Sequence, residues 1–186
     1  MKFDISPTLY LRLLQPADAG ELFAVVDANR DYLRQWLPWL DANTAPADSL
    51  AFINSIHLQL DAGKGFACGV FWHSKLVGMC GYHEIDAQNQ SVVIGYWLAQ
   101  ACQGNGIVSR CTRFFIHYAF HTLCLRKVLI PVAEQNNRSR AVCERLGLKK
   151  EGTTERAEWL YDRWVNHVCY SVTADQWCED VAEGGT

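Results

Sequence analysis

The sequence predicts a single α/β domain: a mixed central sheet of about seven strands with helices on both faces. Three observations lead there. The chain has 186 residues, the size of one domain, and 49% of them are hydrophobic. The spacing of those residues switches along the chain between the helical period and the two-residue period of a strand. The switches run in the order β, α, α, β, β, β, α, β, α, β, β, with no internal repeat and no linker.

Residues 8–14 (TLYLRLL) alternate Leu9, Leu11 and Leu13 with Tyr10 and Arg12, the pattern of a half-buried strand. Pro16 opens a helical pattern with Asp18 in its first turn, where the helix dipole favours an acid. Leu22, Phe23, Val25 and Val26 form its apolar face. Residues 32–40 (YLRQWLPWL), broken by Pro38, read as a short helix and a turn. Pro46 and Asp48 start a second helix through Phe52, Ile53, Ile56 and Leu60, stopped by Gly63. Residues 65–73 and 76–85 read as two strands joined at Ser74 and Lys75, and 91–99 (SVVIGYWLA) as the next strand. Gly104 and Gly106 lead into a long helix from Ile107 to Leu123. Residues 127–133 (KVLIPVA) are a buried strand in which Pro131 marks interrupted pairing. Asn136 caps a short helix that ends at Gly147. Two closing strands fall near 148–159 and 164–173. The domain is expected to span 1–177, with 178–186 a flexible tail.

Composition excludes several classes. A chain with 20% charged residues and no block of like charges is neither disordered nor collagen-like. A net charge of -3 argues against a nucleic-acid partner, whose binding proteins are basic. No run approaches the ~20 apolar residues of a membrane span, so no membrane partner is expected. The first residues, MKFDISPTLY, lack the apolar core of a signal peptide, which points to the cytoplasm. The eight cysteines are then expected to be reduced, and none forms a C-x-x-C pair. His117, His121 and Cys124 share a helix face at a metal-ligand spacing, but no second ligand cluster accompanies them, and no metal is expected.

The stretch from Leu98 to Ser109 carries the chemistry. Glycines between a strand and a helix let backbone N–H groups approach an anion, and the helix N-terminus adds the positive end of a dipole. A phosphate or pyrophosphate is the natural guest, although a turn that only reverses the chain would show the same glycines. No lysine follows Gly106, which excludes a P-loop. A dinucleotide fingerprint needs a third glycine where Ser109 stands, and follows a first strand rather than a fourth.

Gln103-Gly104-Asn105-Gly106 and the residues after it resemble the Q/R-x-x-G-x-G/A motif of the GNAT N-acetyltransferases, with Val108 standing where that motif has Gly or Ala. Ile94-Gly95-Tyr96-Trp97-Leu98 resembles the strand ahead of that motif. Asn136-Asn137-Arg138-Ser139 followed by Arg145-Leu146-Gly147-Leu148 resembles the superfamily's N-x-x-S…K-L-G-F helix. The element order is similar over nearly the whole chain. Trp36-Leu37-Pro38-Trp39, Ile94 to Leu98, Gln103 to Ile107 and Ala157-Glu158-Trp159-Leu160 look like segments of the RimL/RimJ branch, which acetylates N-termini of ribosomal proteins.

The resemblance implies a GNAT fold and acetyl-CoA as co-substrate. Pantetheine would be held by main-chain bonds to strand 91–99, splayed from its neighbour, with Tyr96, Trp97 and Leu98 contributing. The pyrophosphate would sit on the amides of Gln103, Gly104, Asn105, Gly106, Ile107 and Val108, with Ser109, Asn136 and Ser139 completing the cofactor site. Glu158 matches the glutamate proposed as the base in the RimL branch, and Ser139 is left to protonate or hydrogen-bond the departing sulfur. Many members use a tyrosine on that helix for this task, but no tyrosine lies between Tyr118 and Tyr161.

An α-amine titrates near ~7.7–8.0 and a lysine near ~10.4, so at pH 7 about one α-amine in ten is neutral and far fewer lysines. A modest base suffices for the first. Tyr32, Trp36 and Trp39 either wall the acceptor site or belong to the core, and His83 and Glu84 either face the acceptor cleft or are satisfied in place. Asp27, Asp31, Asp41 and Glu84 would give an acidic mouth suited to cationic amines. The expected activity is acetyl transfer from acetyl-CoA to a primary amine by direct attack, with the α-amine of a ribosomal or other protein as acceptor. The alternatives are a small amine such as a polyamine, antibiotic or aminoacyl compound, and a non-catalytic acyl-CoA-binding module. A homodimer is expected from the aromatic-rich surface.

Overall fold

The computed structural model describes residues 1–177, and the tail expected at 178–186 lies outside the described residues. The strands are β1 (Lys2–Ser6), β2 (Leu9–Arg12), β3 (Ala67–Trp72), β4 (Lys75–Asp86), β5 (Ser91–Leu98), β6 (Lys127–Ala133), β7 (Lys149–Leu160) and β8 (Arg163–Thr173). The α-helices are α1 (Ala19–Asp27), α2 (Arg30–Leu33), α3 (Pro46–Asp61), α4 (Ile107–His121) and α5 (Asn137–Arg145). All eight strands join one sheet in the order β1-β2-β3-β4-β5-β6-β8-β7. Every pair is antiparallel except β5 and β6, which run parallel with α4 as their crossover.

The sheet has one strand more than expected. Lys2–Ser6 carries only two core-facing apolar residues, too short a signal to read as a strand, yet Phe3 pairs opposite Leu11 and packs at a tilt against Phe114 of α4, ring centroids 4.8 Å apart. The strand expected over 8–14 stops at Arg12 because Leu13 and Leu14 are both buried and break the alternation. The helix expected from Pro16 begins as a single 3-10 turn at Pro16–Asp18 before α1. Asp18 causes this break: its carboxylate accepts from the Gln15 amide (2.6 Å) and grips Arg12 (2.8 and 2.9 Å). The helix placed within 32–40 forms earlier, as α2, and the chain then turns through Leu40–Ala42.

One face of the sheet is closed by α4 and α5. Val92 and Ile94 of β5, Val128, Ile130 and Val132 of β6, and Val168, Tyr170 and Val172 of β8 are buried with Phe115, Ile116 and Ala119 of α4. Each fully buried side chain of this kind contributes about 1.5–3 kcal/mol. On the other face, α1 packs on α3 and on β4. The alternate residues of β6, namely Lys127, Leu129 and Pro131, stay half-buried or exposed, so that face of β6 carries no helix. The β7–β8 hairpin is fastened by Tyr161, whose hydroxyl donates to the Leu37 carbonyl (2.6 Å) and accepts from the Leu40 amide (3.2 Å).

Candidate active site

β5 and β6 pair only at Ser91–Lys127, Val92–Val128 and Val93–Leu129. Beyond that point β5 stays with β4 as far as Leu98, while β6 stays with β8 as far as Ala133. The two strands diverge, and residues 94–98 keep main-chain groups with no strand partner on the β6 side among the described residues. Pro131 lies in the divergent part of β6, where a residue without an N–H is tolerated. A cleft of about 420 Å³ lies at the β4–β5 turn beside the paired ends of these strands, lined by Glu84, Asp86, Ala87, Ser91, Val93 and Leu129 among others, and residues 94–98 do not line it.

The loop after β5 has the geometry of an anion nest. Gly104 (φ +80°) and Gly106 (φ +67°) take left-handed conformations that side-chain-bearing residues adopt only with strain. The side-chain amide of Asn105 donates to the carbonyls of Cys102 and Gln103 (3.1 Å each), folding the loop on itself. The Gln103 N–H donates to the Gln100 carbonyl (3.3 Å). The N–H groups from Gly104 to Ser109 have no protein acceptor among the described residues, and they lead into the 15-residue helix α4. Three arginines surround this nest, a feature the sequence reading did not identify. Arg138 donates to the Gln103 side chain, Arg145 to the Ser109 Oγ (2.9 Å) and Arg110 to the Asn105 carbonyl (3.3 Å). Arg138 and Arg145 are spaced two turns apart on α5, which is the signal that would have placed them on one side of it.

α5 starts where Asn136 caps it: the Asn136 Oδ1 accepts from the Ser139 N–H (3.1 Å). Ser139 follows in the first turn, and its hydroxyl donates to the hydroxyl of Tyr96 (3.0 Å). The Tyr96 hydroxyl in turn donates to the Ser139 carbonyl (3.2 Å) and lies 3.8 Å from the Cys143 Sγ. Tyr96 thus brings to α5 a tyrosine hydroxyl that the helix itself lacks. Burial holds the Tyr96 phenol protonated well above the usual tyrosine range, and burial pushes the Cys143 thiol up to about 11. Cys143 is therefore a neutral thiol and not a poised nucleophile. Trp97 points to the opposite face, 6.4 Å from Trp39, and Leu98 is buried.

On that opposite face the ladder is interrupted twice. The register of β4 skips between Tyr82 and Glu84, leaving His83 as the extra residue, with its carbonyl accepting from the Gln59 side chain. The His83 ring is reached by solvent but lies among dense protein directly over Gly95. Burial lowers its pKa, opposed in part by the charge of Glu158. The register of β7 skips between Thr154 and Glu158, where Arg156 takes a φ of 48° and donates its N–H to Asn166 (3.0 Å). This bulge aims Glu158 at His167, with 3.4 Å between carboxylate and imidazole, both largely shielded from solvent. Glu158 and His167 therefore meet on the sheet face opposite α4 and α5, where the charge of Glu158 also reaches His83 of β4.

Tyr32, Trp36 and Trp39 are half-buried, and Trp39 packs against the core. The expected acidic mouth is partly neutralised: Asp27 pairs with Arg30 (3.1 Å) and Asp41 with Arg34 (2.8 Å). His117 and His121 stack with ring centroids 4.1 Å apart, and no group of three or more metal-ligating side chains occurs among the described residues. No helix among them is long and apolar enough to cross a membrane.

Known proteins share this fold. Residues 8–149 match the Acetyltransferase (GNAT) domain. The chain belongs to the GNAT acetyltransferase family. Within it, YdaF of Bacillus subtilis (strain 168) is 33% identical over 177 residues, covering 93% of this chain and 95% of its own length. The ribosomal-protein-serine acetyltransferase of Escherichia coli (strain K12) is 26% identical, covering 92% of this chain and 96% of its own. The solved structure of RimL, a ribosomal alpha-N-protein acetyltransferase in complex with coenzyme A, superposes with a TM-score of 0.89 at 26% identity, covering 95% of this chain and 99% of that one. The chain is thus a GNAT acyltransferase with the single-domain α/β fold of that family and with ribosomal-protein acetyltransferases among its relatives.

Proposed function

We propose that this GNAT enzyme transfers the acetyl group of acetyl-CoA to the α-amine of a protein N-terminus, a ribosomal protein being the first candidate. The observation that carries the reading is the placement of Glu158. It stands on the sheet face that no helix covers beyond β5, with His167 at 3.4 Å, and its charge is felt at His83 across the opening between β5 and β6. An extended chain terminus has room to approach there. The relatives named for ribosomal-protein acetylation supply the acceptor class.

In this reading acetyl-CoA lies in the divergence of β5 and β6. Its pyrophosphate takes hydrogen bonds from the N–H groups of Gly104 to Ser109 and charge from Arg110, Arg138 and Arg145. The main chain of Tyr96 to Leu98 lines the pantetheine. Glu158 takes the proton of the incoming amine, directly or through water. The nitrogen then attacks the thioester carbonyl, and the sulfur leaves beside Ser139. A thiol is acidic near ~8.5 and a serine hydroxyl far less so, so Ser139 stabilises the thiolate by a hydrogen bond rather than by giving up its proton. Direct attack fits the neutral, buried Cys143, which offers no thiolate for an acetyl-enzyme.

Release of free thiol from acetyl-CoA tests the reading, with a panel of Ser- or Ala-starting peptides, internal-lysine peptides and polyamines. Turnover of the first set that disappears when the peptide N-terminus is blocked is the expected result. Turnover of polyamines alone would transfer the enzyme to the small-amine class. Coenzyme A binding without turnover of any amine would make it an acyl-CoA sensor.

A further inference from the structure

We propose that Tyr96 is a positioning residue that turns the hydroxyl of Ser139 toward the leaving sulfur of acetyl-CoA. The proposal rests on the role given to Ser139 above. It comes from the distances around one phenol oxygen: 3.0 Å to the Ser139 Oγ, 3.2 Å to the Ser139 carbonyl oxygen and 3.8 Å to the Cys143 Sγ. The phenol has one proton and two oxygens of the same residue within reach.

In the structure the phenol proton serves the carbonyl, and the serine proton points back at the phenol. A serine held that way has nothing to donate to sulfur. When the serine O–H swings toward sulfur, its place opposite the phenol falls empty. The phenol proton can then leave the carbonyl for the Oγ without any movement of heavy atoms. The outcome is a chain in which Tyr96 donates to Ser139 and Ser139 donates to sulfur, each bond polarising the next. Burial suits Tyr96 to this task, since a phenol that resists ionisation stays a donor throughout turnover.

No proton leaves either hydroxyl. The amine lone pair forms the C–N bond, and the C–S bond breaks with its electron pair on sulfur. An ammonium acceptor loses one proton to Glu158 before attack, and the nitrogen loses a second as the tetrahedral adduct collapses to the amide; both pass to water, and the thiolate takes one back on release, so one proton is released net.

The test uses the full chain, acetyl-CoA and a Ser-starting peptide, with Tyr96→Phe, Ser139→Ala and the double variant. Coenzyme A affinity and thermal midpoint report on folding and on the cofactor site. Tyr96→Phe is expected to lower kcat about tenfold with the KM for acetyl-CoA within about twofold, and to lower it no further in a Ser139→Ala background. Equal losses from Tyr96→Phe in both backgrounds would show that Tyr96 acts independently of Ser139 and would overturn the proposal. If Ser139→Ala is impaired and Tyr96→Phe is not, the proposal fails while the role of Ser139 stands. Full activity of Ser139→Ala, or no turnover of the peptide by the unaltered enzyme, removes that role and the proposal with it.

Discussion

A Cβ placed on Gly95 would fall 2.0 Å from the Nε2 of His83. The imidazole lies against the bare backbone of β5, in the bulge that sets it on the sheet face opposite α4 and α5. No real Cβ tolerates that distance, so Gly95→Ala must displace the ring. Because the clashing atoms are the ring end of an exposed side chain that can swing aside, the expected cost is small, at most about 1 kcal/mol of stability. The diagnostic variant is Gly95→Ala combined with His83→Ala, which removes the obstructing ring. Thermal unfolding of the double variant should recover most of the loss. If it stays as unstable as Gly95→Ala alone, the ring is not what makes glycine necessary.

Glu158 and His167 give the second prediction. Glu158→Gln keeps the shape of the side chain and removes its basicity. Acetylation of an α-amine at pH 7 should fall by about 10²–10⁴-fold, the usual range for a lost general base. The deficit should shrink as the pH rises past ~8, because the α-amine then deprotonates without help. Coenzyme A affinity, measured by calorimetry, should not change, since the carboxylate lies on the strands away from the anion loop. A deficit independent of pH would assign Glu158 to acceptor binding instead.

The anion loop predicts a different kinetic signature. Gly104 and Gly106 have open space around them, so a valine there meets no clash and only the positive φ opposes it. A β-branched residue in that region is strained by about 1–3 kcal/mol, and relaxing the strain turns the loop amides away from the phosphates. Gly104→Val and Gly106→Val should raise the dissociation constant of coenzyme A about tenfold or more, with kcat at saturation little changed. Arg138→Ala should weaken binding too, and its effect should fade at high salt because the residue is exposed. Dephospho-coenzyme A separates two origins of such losses. A variant that discriminates less between it and coenzyme A has lost a contact to the ribose phosphate rather than to the pyrophosphate.

The parts of this site that could be read from sequence are those encoded locally. Gly104 and Gly106 between a strand and a helix announce an amide nest, Pro131 announces a break in pairing, and Asn136 announces a helix start; each depends on its own few neighbours. What could not be read depends on register. The bulge between Thr154 and Glu158 leaves no mark in an alternating polar strand, yet it decides which way Glu158 points. The meeting of Tyr96 with Ser139 spans 43 residues and exists only because β5 and β6 diverge over α5. β1 escaped because Phe3 and Ile5 are too few to establish a period, and only the packing of Phe3 on Phe114 reveals why the strand forms.

Stability should fall in two steps as the pH drops, and the direction of each follows from the group concerned. Burial lowers the pKa of His83, so the unfolded chain binds a proton there before the folded one does. Its stabilising contribution is complete above the unfolded value of ~6.5 and is lost as pH falls below it. The carboxyl of Asp18 is lowered chiefly by its hydrogen bonds from the Arg12 guanidinium, so its contribution is complete above ~3.9 and is lost only as pH falls through the lower folded value. The Arg12–Asp18 pair is two-pronged and mostly shielded, with 29% and 15% of the side chains exposed, and it also ties down the Gln15 amide. Breaking it by Asp18→Asn should cost about 1–3 kcal/mol at pH 7, or a few degrees of thermal midpoint for a domain of this size. Denaturant melts at successive pH values should show stability falling below about pH 6.5, less steeply in His83→Gln. The further fall below about pH 4 should shrink in Asp18→Asn. An unaltered upper step in His83→Gln would place its origin at another histidine, with His117, also lowered by burial and by its neighbour His121, the next to test.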